Sequence, residues 1–102
     1  FGERAAPATY ALVGCLDDAE HSVRLAAATV LGRLGHHAVR AIDRLTALVE
    51  DPDSKVRAAV VGALGRLCMA AREATGPAVI AALARRLSDE DVDVRQAAAT
   101  VI

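Results

Sequence analysis

Few side chains in this sequence could do chemistry, and none of them falls into a catalytic spacing. A Gly-rich phosphate loop, HExxH and GxSxG are all absent. His36 and His37 are adjacent, so on a helix their side chains would diverge and in a turn both would be solvated. A metal centre there would need further ligands from elsewhere in the chain. Cys15 and Cys68 fall at non-equivalent places in the sequence pattern, without a CxxC spacing, and read as free thiols, buried or half-buried. A bond between them would require Cα atoms within about 7 Å. Three arginines recur more regularly, Arg24, Arg57 and Arg95, each following an acidic turn. A guanidinium can bind an anion, or hold a carboxylate with two parallel hydrogen bonds in a geometry lysine cannot match.

These arginines belong to segments that repeat one another: Asp18 to Leu34, Asp51 to Leu67 and Asp89 to Ile102. Val23 and Val56 are 33 residues apart, and Gly2, Ala5, Ala8 and Leu12 recur as Gly35, Ala38, Ala41 and Leu45. Self-similarity at such a period marks a repeat array, in which each unit buries its apolar face against the next. The units run over about 2–34, 35–72 and 73–102 of a single segment. The predicted fold is all-α, a superhelix of about three helical hairpins.

Each unit resolves into two helices. In the second helices the apolar series are Val23, Ala26, Ala27, Val30, Leu31 and Leu34, then Val56, Ala59, Val60, Ala63, Leu64 and Leu67, then Val94, Ala97, Ala98 and Val101. Such spacing predicts one buried face per helix. The first helices offer Ala8, Leu12 and Leu16, then Ala38, Ala41, Ile42, Leu45 and Val49, then Val79, Ile80, Leu83 and Leu87. Acidic turns separate the two, since Asp and Ser supply N-cap acceptors and negative charge suits a helix start. Gly35 stands where a C-cap with positive φ is expected. Cys68 takes its place in the second unit, so that helix is expected to run on through Met69-Ala70-Ala71-Arg72 toward Gly76-Pro77. The spacing from Val56 to Val94 is accordingly 38 residues, five more than the first period of 33.

Composition excludes several function classes. The net charge is −1 and the 25% of charged residues interleave both signs, which argues against a nucleic-acid face built from clustered Lys and Arg. Much of the 54% hydrophobic fraction is alanine, so the core must rest on close helix approach and a few Leu, Val and Ile anchors. No apolar stretch approaches the roughly 18 residues of a membrane span, and no signal peptide opens the chain. The expectation is a soluble intracellular, cytoplasmic protein. Phe1 precedes Gly2 as Leu34 precedes Gly35, and Ile102 aligns with Leu31 inside a helical pattern. The pattern predicts a piece of a longer array, with cut ends prone to end-to-end self-association.

The acidic turn, Val-Arg, Ala-Ala pair and Leu-Gly-x-Leu (Val23-Arg24, Ala26-Ala27 and Leu31-Gly32-Arg33-Leu34 in the first unit) resemble the short HEAT-like repeat also found in phycobilisome lyase-type proteins. Over nearly the whole chain this implies a HEAT-like solenoid. It also implies a structural ladder linking successive units, made of Asp18, Asp51 and Asp89 with Arg24, Arg57 and Arg95. Gly32 and Gly65, inside helical patterns, then mark close helix packing. HEAT-type hydroxylases hold di-iron with His-Glu pairs near the start of the second helix. The equivalent positions here, Leu25-Ala26, Ala58-Ala59 and Gln96-Ala97, cannot ligate iron, and Glu20-His21 lies in the turn in reversed order. HEAT-type DNA glycosylases use aromatic and acidic residues on a basic face that this chain lacks.

The reading is therefore a protein that is not an enzyme, with no catalytic, metal or cofactor residue assigned. In such stacks the second helices line the concave side, where Leu25, Thr29, Arg33, Val61, Arg66 and Gln96 form the candidate binding face for a protein or peptide partner. Leu25 and Val61 are its expected exposed apolar residues. The resemblance also implies an alternative, a bilin lyase or chaperone-like subunit of the phycobilisome lyase type, and a second, a nucleic-acid-binding HEAT-like protein.

Overall fold

In the computed structural model the helices follow one another as α1 (Gly2–Cys15), α2 (His21–Leu34), α3 (Ile42–Ala47), α4 (Ser54–Ala70), α5 (Pro77–Arg85) and α6 (Val92–Val101). Residues 2–102 are described, with side chains from Pro7 onward; the expectation for Phe1 lies outside the described residues, as does the side chain of Ala5. Short 3-10 segments at Gly35–Ala41 and Leu48–Glu50 flank α3, and Arg72–Ala74 and Arg86–Ser88 flank α5. No strand occurs among the described residues. The molecule is a slab of 39 × 31 × 17 Å, two helices thick. Helices α2, α4 and α6 lie side by side, and α1, α3 and α5 back them. Among the described residues no helix is long and apolar enough to cross a membrane.

Local chemistry sets the boundaries. Asp53 and Asp91 cap α4 and α6, each carboxylate accepting two backbone N–H groups, from Lys55 and Val56 and from Asp93 and Val94. Glu20 stands at the same place before α2 but makes no side-chain cap. Gly35 ends α2 at φ 60° and ψ −136°, a region closed to side chains with a Cβ. Without that stop, α4 continues past Cys68 to Ala70, two residues short of the expected Arg72. The 3-10 turn Arg72–Ala74 then leads to Gly76 and Pro77, which opens α5 where its missing N–H costs nothing.

The buried faces differ from a simple stripe. Helix α4 buries both flanks because α2 and α6 pack on either side: Val56, Val60, Val61, Ala63, Leu64, Gly65 and Leu67 are all inside. Helix α2 has one such neighbour. Its buried residues are Ala27, Ala28, Leu31 and Gly32, while Ala26 and Val30, expected in the core, are exposed on the other flank. Ile80 and Leu87 are likewise exposed, although Ile42 and Val49 at the same places in the second unit are buried. The hairpin α5–α6 covers those two, and no hairpin follows among the described residues.

Gly32 lets α2 and α4 touch. A Cβ there would meet the Ala63 Cα at 2.9 Å and its Cβ at 3.0 Å, whereas a Cβ on Gly62 would meet nothing within 4 Å. Gly62→Ala is therefore expected to stabilise the fold by about 0.4–1 kcal/mol through helix propensity. Gly32→Ala gains the same propensity but must push backbone apart, and is expected to lose about 1–3 kcal/mol. Urea denaturation of the two variants checks the opposite signs.

Candidate functional site

Two of the three turn aspartates, Asp51 and Asp89, meet an arginine of the preceding unit. Asp51 and Asp89 begin the turns before α4 and α6, and each folds back so that one oxygen accepts the N–H two residues on, from Asp53 and Asp91, at 2.9 Å. Asp18 does the same for Glu20. Arg24, one turn into α2, donates Nε to Asp51 Oδ2 at 2.8 Å and Nη2 to Oδ1 at 3.2 Å. Its Nη1 holds the carbonyls of Asp18 and Ala19 in its own turn. Arg57 repeats the arrangement: Nε and Nη2 reach Asp89 at 3.0 and 3.1 Å, and Nη1 takes the carbonyls of Asp51 and Pro52. Arg95 places Nη1 on the carbonyls of Asp89 and Glu90. Each arginine thus anchors to its own turn, and Arg24 and Arg57 also reach the next unit's aspartate.

Burial makes these rungs electrostatically strong. Asp51, Arg57 and Asp89 are only 5–6% exposed. The hydrogen bond with Asp89 raises the affinity of Arg57 for its proton, against the opposing effect of burial. Burial pushes the Asp89 carboxyl up, yet the Asp91 N–H, Arg57 and Arg86 together hold it below the usual carboxylate range. Asp51 draws Arg24 upward in the same way. Arg86 adds a second cation at Asp89, 3.0 Å away, and the i, i+3 spacing Arg86/Asp89 could have signalled it. Arg24 and Arg57 each commit four of their five N–H groups to these bonds, which supports a structural role over anion binding.

A shallow groove of about 210 Å³ runs between α2 and α4, lined by Thr29, Gly32, Arg33, Ala59, Gly62, Ala63 and Arg66. A second, of about 410 Å³, continues it across Gly62, Gly65 and Arg66 to Ala97 and Thr100 on α6. Thr29 spends its hydroxyl on the Leu25 carbonyl, leaving small residues as the floor and two exposed arginines at the edge. Of the sequence-predicted face, Thr29, Arg33 and Arg66 come together here. Val61 does not: it is fully buried, because α4 is covered on both flanks and Val61 lies one turn before the contact residue Gly65. Leu25 is half-buried, at a separate depression with Ser54, Lys55, Ala58, Asp91 and Asp93. Gln96 is exposed and lines neither groove, its carbonyl accepting the Thr100 hydroxyl. The small floor residues Ala59 and Ala63 were missed because their apolar spacing reads as core.

The remaining reactive side chains stay apart. His36 and His37 do not diverge: their rings lie 4.3 Å apart in the 3-10 segment, His37 half-buried and its carbonyl accepting the Thr9 hydroxyl. Cys15 and Cys68 are half-buried free thiols. Among the described residues no three His, Cys, Asp or Glu side chains converge on a metal position.

A family model of HEAT repeats matches residues 9–102. No curated protein matches the chain. Side-by-side hairpins, glycine-mediated helix contact and a match over nearly the whole length lead to one assignment: the chain belongs to the HEAT-repeat family.

Proposed function

We propose that the chain is a non-catalytic scaffold that holds an acidic segment of a protein partner along α2, α4 and α6. Repeats of this family commonly mediate protein–protein interaction and are generally non-enzymatic. The observation that carries the reading is the groove between α2 and α4, whose floor of Gly and Ala admits a chain close to the backbone. At its edge Arg33 and Arg66 have no hydrogen-bond or ion-pair partner among the described residues. Two cations beside an apolar trough select for carboxylates flanked by small side chains.

Selection from a displayed random-peptide library on the immobilised protein tests this. Enriched peptides are expected to carry Asp or Glu, and Arg33→Glu with Arg66→Glu should weaken them at least about tenfold, or 1.4 kcal/mol. Gly62→Leu, which fills the trough without touching the core, should do the same. No enrichment, or binding indifferent to all three substitutions, would sink the reading. A bilin-binding role instead predicts an absorbance change when a bilin is mixed with the protein, and a nucleic-acid role predicts salt-sensitive retention on heparin. The scaffold reading predicts neither.

A further inference from the structure

Three glycines lie inside α2 and α4, and the fold accounts for two of them. A Cβ on Gly32 would strike the Ala63 backbone, and one on Gly65 would strike the Val101 side chain. Gly62 has open space around it and sits in mid-helix, where glycine is among the least favourable residues. Its effect is to lower the ridge of α4, so that the trough between α2 and α4 runs over it into the one between α4 and α6. Thr29 on α2, Gly62 on α4 and Thr100 on α6 occupy equivalent places in the three units and mark this crossing. Arg33 and Arg66, each one turn further along its helix, border it.

The crossing sets a spacing. Packed helices stand about 8–10 Å apart, so equivalent arginines on α2 and α4 recur at about that interval. One turn of polyproline II, three residues at about 3.1 Å each, advances about 9 Å and returns a side chain to the same side. Two residues of a strand advance only about 6.6–6.8 Å. A strand would also find nothing to pair with. Thr29 and Thr100 give their hydroxyls to the Leu25 and Gln96 carbonyls, and the backbone groups of the floor bond within their own helices. Polyproline II keeps its backbone in water and needs no such partner. An α-helix, about 10–12 Å across, would ride on the rim of a trough of about 210 Å³.

We propose that the occupant of the groove is a proline-rich acidic segment in the polyproline II conformation, with a carboxylate at every third residue, which rests on the groove being the binding site. The segment crosses α4 at Gly62. Arg33 and Arg66 take one carboxylate each, and the pyrrolidine rings between them pack on the floor of Ala59, Gly62 and Ala63.

Fluorescence anisotropy with labelled synthetic peptides of identical flanks tests this. Glu-Pro-Pro-Glu is expected to bind the unmodified chain at least about tenfold more tightly than Glu-Pro-Glu or Glu-Pro-Pro-Pro-Glu. It should also bind several-fold more tightly than Glu-Gly-Gly-Glu, whose freer chain must be ordered on binding. Arg33→Glu and Arg66→Glu, made singly, should each transfer the preference to a peptide with one Glu replaced by Lys, a gain that damaged folding would not produce. Equal affinity across the spacings would overturn the polyproline II geometry, as would tighter binding of Glu-Gly-Gly-Glu or of a helical peptide with Glu at i and i+7. Either result would still leave an acidic segment in the groove. Absence of binding by every acidic peptide would sink both the groove and its occupant.

Discussion

Asp89→Ala is expected to lose about 3–5 kcal/mol of folding free energy, measured by urea or guanidinium denaturation, because it strips a buried guanidinium of its counter-ion. Arg57 is 6% exposed, so without Asp89 its Nε loses its partner and its Nη2 keeps only Glu90, 3.9 Å away. The turn before α6 also loses its acceptor for the Asp91 N–H, and Arg86 loses its partner. Folded domains hold only about 5–15 kcal/mol in reserve, so the variant should be largely unfolded under mild denaturant. Arg57→Ala should cost less, since Arg86 still neutralises Asp89. Replacing both partners by apolar residues should cost less than either single change, which a double-mutant cycle would reveal. Equal stability for Asp89→Ala and the parent chain would refute the rung as a structural element.

The same carboxylate gives a pH dependence with a definite sign. Its folded pKa is lowered, so below the unfolded value near about 3.9 the unfolded chain binds a proton that the folded chain refuses. Its contribution is present above that value and is lost as pH falls through the folded one. Acid titration of stability should therefore decline less steeply below about pH 4 in Asp89→Asn than in the parent chain.

Leu64→Ala is the second large effect, an expected loss of about 2–5 kcal/mol. Leu64 is fully buried in α4, which is flanked by α2 and α6, so its removal leaves a cavity shared by two interfaces. Small alanines and glycines line much of those contacts, and such surfaces have few atoms able to move into the gap. Val30→Ala, at an exposed position of α2, should change stability by less than about 0.5 kcal/mol. A similarly small effect for Leu64→Ala would contradict its placement.

Particular residues show how far the sequence could be read. Val56, Val60, Leu64 and Leu67 were legible as a helix face because an interval of three or four residues has one geometric meaning. Gly35 was legible as a stop, and Cys68 in its place as a continuation, because only a residue without a Cβ takes φ 60° easily. Val61 and Val30 were not. Their intrinsic chemistry is identical, and the first is buried while the second is exposed because Val61 lies near the flank of α4 that meets α6, as Ala28 does on α2 toward α4, whereas Val30 lies on the flank of α2 where no second helix packs among the described residues. The groove floor was illegible for a related reason, since Ala59 and Ala63 can serve a core or a trough and only the approach of α2 decides between them.

The sequence by itself determined the units, their helical hairpins, the acidic turns and the recurrence of an aspartate and an arginine in each, all properties of local spacing and backbone chemistry. The tertiary structure alone decided that Arg24 reaches Asp51 and Arg57 reaches Asp89, and which flank of each helix is covered. Those are relations between units, and a periodic pattern repeats identically whether or not a neighbour stands beside it.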